Sequence, residues 1–209
     1  MLSARAKSVS GFTMIEMIVT LTIFSILVAL TVPTMKAWIA STKVRAVADT
    51  LQNGMRLAQS EALRRSRQVV FALTNSTNPQ SDFTSGTLSA ANSGTNWVIV
   101  TIPAMVDGSE APVFVASGVL TSAGSAVAIA GPAEVCFNSV GRLITNGATS
   151  VAGGTCVPAN AGITGTPPKY TYQVTLAGGH AMNVELALGG QVHLCDPTQT
   201  LSSSNPYGC

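Results

Sequence analysis

Glu16 is the only ionisable side chain between Phe12 and Val32, in a run that otherwise reads Thr-Met-Ile before it and Met-Ile-Val-Thr-Leu-Thr-Ile-Phe after it. A carboxylate inside a bilayer costs about 2.5 kcal/mol or more near the centre and less near an end, so Glu16 needs a cation. The run itself offers none. A cut between Gly11 and Phe12 would create one, because the new amino group would occupy the same membrane layer as Glu16 of an adjacent copy. Two copies would then neutralise each other, and the chemistry these residues point to is charge pairing between subunits.

The element that must position them is a helix. Phe12 to Val32 is 21 residues, which at about 1.5 Å per residue spans roughly 31 Å, enough for the hydrocarbon core of a bilayer. It does not read as a removable secretory signal, since the small residue Gly11 precedes the apolar stretch, and the helix therefore stays on the mature chain. An ordinary signal anchor that happens to hold a glutamate is the alternative. Charge counting does not orient the span: Arg5 and Lys7 lie before it, and Lys36, Lys43 and Arg45 soon after.

Beyond the span, Val44, Val47, Leu51, Met55, Ala58 and Ala62 fall at spacings of three and four, with Arg45, Asp49, Arg56, Arg64, Arg65 and Arg67 opposite. This predicts an amphipathic second half, residues 36–73, laid along a sheet by its apolar stripe. Pro33 lacks an amide hydrogen and predicts a kink or local melting between the halves. Gly54 is a weaker interruption.

From Thr74 the period changes. Asn75 to Asn96 is rich in Ser, Thr, Asn and Gly and predicts an exposed loop with at most a short strand. Strands are expected at Trp97 to Ile102, Val113 to Val115, Ala126 to Ala130, Glu134 to Asn138 and Arg142 to Thr145. The clearest pattern comes last: Tyr170, Tyr172, Val174 and Leu176 alternate with polar residues, and Met182, Val184, Leu186 and Leu188 do so again. Gly178-Gly179 and Gly189-Gly190 separate the runs ahead of Gln191 to Cys195, which is an antiparallel meander with glycine turns. The fold class is α+β, a long N-terminal helix packed on an antiparallel β-rich head, residues 74–209.

Cys136, Cys156, Cys195 and Cys209 all fall in the last 74 residues, an even number that suits an oxidising compartment. Three connectivities are open, and the local pairs Cys136 with Cys156 and Cys195 with Cys209 are favoured, the second tying down a tail rich in Ser, Asn and Pro. A metal site is the rival, since His193 is two residues from Cys195, but no Cys-x-x-Cys pair or dense ligand cluster supports it. No metal or other cofactor is expected.

A short basic leader (Arg5, Lys7), Gly11, Phe12 at the cut, Glu16 as fifth mature residue and an unbroken apolar run together resemble the type IV pilin signature. The resemblance implies that residues 1–11 are a leader removed by a prepilin peptidase after Gly11. It also implies methylation of the Phe12 amine, docking guided by Glu16, a membrane and assembly helix over residues 12–35, and melting near Pro33. Met55 to Arg65, the strand opening at Val69, Trp97, Cys136 to Arg142 and the closing Gly-Gly-Gln-Val-His-Leu-Cys-Asp-Pro resemble the FimT/FimU/GspH group of minor pilins and pseudopilins. Members like FimU are implied to join other minor pilins that start and cap a pilus of the major pilin. Members like GspH do the corresponding work in type II secretion, and members like FimT bind DNA for uptake. The head would lie in the periplasm, outside the inner membrane, as the cysteines also suggest.

Charge discriminates among these. Residues 68–209 carry two cations, Arg142 and Lys169, against six acids, a net charge of −4. Phosphate neutralisation by cations supplies most non-specific DNA affinity, so an acidic head is a poor receptor. DNA-binding members are implied to carry Gly-Arg-x-Arg where this chain reads Gly190-Gln191-Val192-His193. DNA uptake therefore ranks second. Arg64, Arg65 and Arg67 suit a helix C-terminus, and the functional alternative is contact with neighbouring subunits. Gly-x-Ser-x-Gly, a P-loop and His-Glu-x-x-His are absent, so an enzyme is not expected.

Overall fold

The helical rhythm of the first third becomes one element. The computed structural model describes residues 11–102, 110–120, 124, 126–144 and 169–209, and α1 runs Met14–Arg65. Thr13 caps it, its hydroxyl accepting the Glu16 N–H at 3.3 Å. Helical backbone continues through position 33, so the melting expected at Pro33 is absent here; one missing amide hydrogen is a local loss in a helix of 52 residues.

The far end corrects a second expectation. Periodicity predicts helix to about residue 73, whereas the resemblance implies a strand from Val69, and the strand is found: Ser66 turns left-handed (φ 50°) and its N–H and that of Arg67 close onto the Leu63 and Ala62 carbonyls. Val69, Val70 and Phe71 then enter a strand, which suits β-branched and aromatic side chains.

Among the described residues, two four-stranded antiparallel sheets build the head. The first is β1 (Val69–Thr74), β2 (Asn96–Thr101), β3 (Val113–Val119) and β5 (Glu134–Phe137), in the order β3-β2-β1-β5. The second is β4 (Ala128–Ala130), β6 (Lys169–Thr175), β7 (Met182–Ala187) and β8 (Val192–Cys195), in the order β4-β6-β7-β8. The expected strand at Arg142 to Thr145 shrinks to one bridge between Phe137 and Leu143; Thr145 lies outside the described residues.

The loop expected at Asn75 to Asn96 contains a helix, α2 (Pro79–Ser85). Asn78 caps it through its side chain, Pro79 supplies a first-turn residue that needs no amide partner, and Gly86 ends it. With Leu88 and Phe83, this segment covers the face of the first sheet built by Val70, Ala72, Val98 and Val100. Its other face, with Phe71, Leu73, Trp97 and Ile99, packs on α1. Hence β1 and β2 are buried at every position, where alternation alone would predict one wet side.

The core follows from the predicted stripe. Val44, Val47, Ala48, Leu51, Met55, Ala58 and Ala62 are all buried, and they meet Tyr172, Val174, Val184 and Leu186 of the second sheet as well as the first. Each fully buried Val, Leu or Met contributes about 1.5–3 kcal/mol. The helix is thus the shared floor of both sheets, and only its C-terminal half is used for this.

Candidate assembly site

On the N-terminal half of α1 and just before it, apolar side chains point outward: Phe12, two residues ahead of the helix, is 78% exposed, and on the helix Met14 is 86% and Phe24 65%. The most apolar stretch of the helix has a mean hydropathy of 2.3, and none of it is buried. Its hydroxyls are satisfied within the helix. Thr20 donates to the Met17 carbonyl, Thr22 to Val19, Ser25 to Thr22, Thr31 to Leu27 and Val28, and Thr34 to Thr31. The surface presented outward is therefore apolar in chemistry as well as in composition, as lipid or another apolar helix requires.

Glu16 stands apart from that pattern. Its backbone N–H is capped by Thr13, but among the described residues nothing bonds its carboxylate. Lys36, the next charged side chain along the helix, lies about 30 Å away at about 1.5 Å per residue. Gly11 and Phe12 precede the helix in non-helical backbone, both exposed.

The arginines at the other end are engaged within the chain. Glu61 Oε1 and Oε2 accept from Arg64 Nε and Nη2 at 3.0 and 2.6 Å, and Arg65 Nε reaches Oε2 at 2.7 Å. Hydrogen bonds from Arg64 and then Arg65 hold the Glu61 carboxyl below its ordinary range. Arg67 pairs with Glu110.

Two fastenings that sequence reasoning missed set the head on the helix. The outward backbone groups of edge strand β8 are met by α1: the Gln52 amide oxygen accepts the Leu194 N–H at 3.2 Å and an Arg56 N–H at 3.0 Å, and Arg56 also donates to the Val192 carbonyl at 3.2 Å. An exposed strand edge invites unwanted pairing, and here the helix covers it. At the other end of the second sheet the β6–β7 turn touches α1. The His180 N–H donates to the Ser41 hydroxyl at 3.0 Å, and a Cβ on Gly179 would sit 2.9 Å from the Ala40 carbonyl carbon.

Cys195 and Cys209 are disulfide-bonded, with Cα atoms 5.2 Å apart. Their sulfurs are therefore not thiolate ligands, although Glu185 lies near both. Cys136 is disulfide-bonded too, and its expected partner Cys156 lies outside the described residues. Within the closed loop Asp196 is the hub: Oδ1 accepts from the Thr198 N–H and hydroxyl at 2.8 and 2.7 Å, and Oδ2 lies 2.7 Å from His180 Nε2. Burial pushes the Asp196 carboxyl up, but the bonds from His180 and Thr198 outweigh it and hold it below its ordinary range. The tail is thus tied, through His180, to the same turn that rests on α1.

A helix bare over its first half, carrying one unpaired acid and then folded into a β-rich head, is the architecture of a pilin-like subunit. The chain belongs to the GspH family: the model for type II transport protein GspH matches residues 47–190, and the prokaryotic N-terminal methylation motif matches residues 6–32. It is a type IV minor pilin or pseudopilin. Two crystal structures of the type IV minor pilin FimU from Pseudomonas aeruginosa are similar to it. One has 13% identity and a TM-score of 0.45 over 77% of this chain and 92% of that one, and the other 14% and 0.43 over 76% and 97%. No curated protein matches the chain.

Proposed function

We propose that this chain is a minor pilin of the FimU and FimT kind, taking part in type IV pilus assembly as a priming or tip subunit. It is inserted in the bacterial inner membrane by its first helix, with the head in the periplasm. A prepilin peptidase cuts between Gly11 and Phe12 and methylates the new amine. Glu16 of one subunit then pairs with that amine on a neighbour, and the apolar surface from Phe12 to Val32 packs against other minor pilins and the major pilin. The role is structural and asks no catalysis of this chain.

One observation carries the reading: a membrane-length exposed apolar helix whose single carboxylate has no bonding partner among the described residues. Glu16→Ala should leave membrane insertion intact and reduce recovery of the subunit in sheared filaments. Equal recovery would remove the docking role.

A GspH-like pseudopilin of type II secretion is the second reading, favoured by the family model that matches residues 47–190. Deleting the gene would then impair secretion and leave pili intact. DNA uptake stays behind both. His193 is exposed on β8 directly across from Glu185 of β7, and Glu185 already engages Lys169, one of the head's two cations, leaving little positive charge there for phosphate.

A further inference from the structure

Apolar exposure on α1 does not stop at Val32. Met35 is 62% exposed, Trp38 68% and Ile39 41%, and burial begins only at Ala40. From Phe12 to Ile39 is about 42 Å at about 1.5 Å per residue, which fits a bilayer of about 40–45 Å including its headgroup layers better than its core of about 30 Å. Trp38 then falls in the headgroup layer, where an indole ring is favoured.

The charges beside it are free of internal partners. Among the described residues Lys36, Lys43 and Arg45 form no ion pair, whereas Arg64, Arg65, Arg67 and Lys169 are paired with Glu61, Glu110 and Glu185. Asp49, one turn beyond Arg45, does not bridge to it. At about 100° per residue Lys36 and Lys43 share one side of the helix and Trp38 and Arg45 the opposite side, so cations surround it. Arg45 stands about 10 Å beyond Trp38, still about one Debye length from the headgroups. The head starts at this level too, through the contacts of Gly179 and His180 with Ala40 and Ser41.

We infer that Lys36, Trp38, Lys43 and Arg45 form a collar that binds anionic phospholipid headgroups and seats the base of the head on the membrane. This rests on the membrane-inserted reading above. Anionic lipid is the occupant that the charges fit. A head of net charge −4 is repelled by an anionic leaflet, and cations on the helix at its base reverse that locally. The collar also gives a role to three cations that lie on the side of the span where orientation alone would not place them. It sets the resting depth from which the subunit is lifted into a filament.

The test uses the full chain in phosphatidylcholine vesicles with and without phosphatidylglycerol. Trp97 is buried in the head, so a Trp38→Phe chain provides the blank. Expected are flotation with the vesicles, stronger quenching of Trp38 by lipids brominated high on the acyl chain than near its end, and a drop of roughly twofold or more in acrylamide access when phosphatidylglycerol is added. That drop should vanish in Lys36→Gln/Lys43→Gln/Arg45→Gln. A chain that floats but whose Trp38 meets acrylamide equally in both vesicles, or whose triple variant behaves as wild type, overturns the collar alone. A chain that does not float removes membrane insertion and the collar together.

Discussion

Gly190 in the β7–β8 turn lies so close to Gly141 that a Cβ on it would sit 2.0 Å from the Gly141 carbonyl oxygen. That same oxygen accepts from Gln59 Nε2 of α1 at 3.0 Å, and Leu143 N–H donates to Leu188 at 3.2 Å beside it. One point thus joins the loop after β5, the second sheet and the helix.

Gly190→Ala should therefore destabilise the chain by about 3 kcal/mol, since it combines a positive φ of 89° with a clash against backbone. Gly189 has open space within 4 Å, and Gly189→Ala should change stability by less than about 1 kcal/mol. Denaturant unfolding of the detergent-solubilised chain compares the two, and equal losses would refute the contact.

Removing the tail's crosslink with Cys195→Ser/Cys209→Ser opens a loop with a sequence separation of 14, for which chain entropy gives about 3 kcal/mol. Peptide mapping without reductant should recover Cys195 joined to Cys209, and it also identifies the partner of Cys136.

Acid should release the same tail. The Asp196 carboxyl is held below its ordinary value of 3.8, so its contribution is complete above that pH and is lost as pH falls through the lower folded value. The Thr198 amide resonance should titrate with a midpoint below 3.8, and Asp196→Asn should abolish that step. A midpoint at or above the ordinary value would contradict the hub.

Covering of the β8 edge predicts that Gln52→Ala and Arg56→Ala each cost about 1 kcal/mol and are not additive, because the two side chains also bond each other. A double-mutant cycle that sums without coupling would show that they act separately.

Blocking the cut is expected from Gly11→Val, seen as a chain that keeps its leader mass in membrane extracts. Normal trimming of that variant would contradict cleavage after Gly11.

The parts legible in the sequence were those where one period holds over a long run. The stripe from Val44 to Ala62 and the alternations in β6 and β7 each repeat enough to identify an element and its buried face. The end of α1 was not legible from periodicity, because Ser66 adopts a left-handed turn that glycine usually marks and Val69 to Phe71 is apolar in a way that suits either period; only the family resemblance placed a strand opening at Val69. Polar composition hid α2, although Asn78, Pro79 and Gly86 together are cap, first-turn and stop signals. The Gln52 and Arg56 fastenings join residues far apart in the chain, and no local pattern announces such contacts. The reading of Glu16 rests for the opposite reason on the sequence alone, on what surrounds it along the chain.

Because α1 continues unbroken from Met14 to Arg65, the compass heading of Glu16 is governed at the other end of the rod. Core residues such as Leu51 and Met55 fix how the helix is rolled beneath the sheets. Inserting or deleting one residue between Val32 and Ala40 would swing the carboxylate by about 100° relative to the head. Under the pairing proposed for Glu16, a subunit altered in that way would keep every residue of both halves and still present its acid to the wrong neighbour.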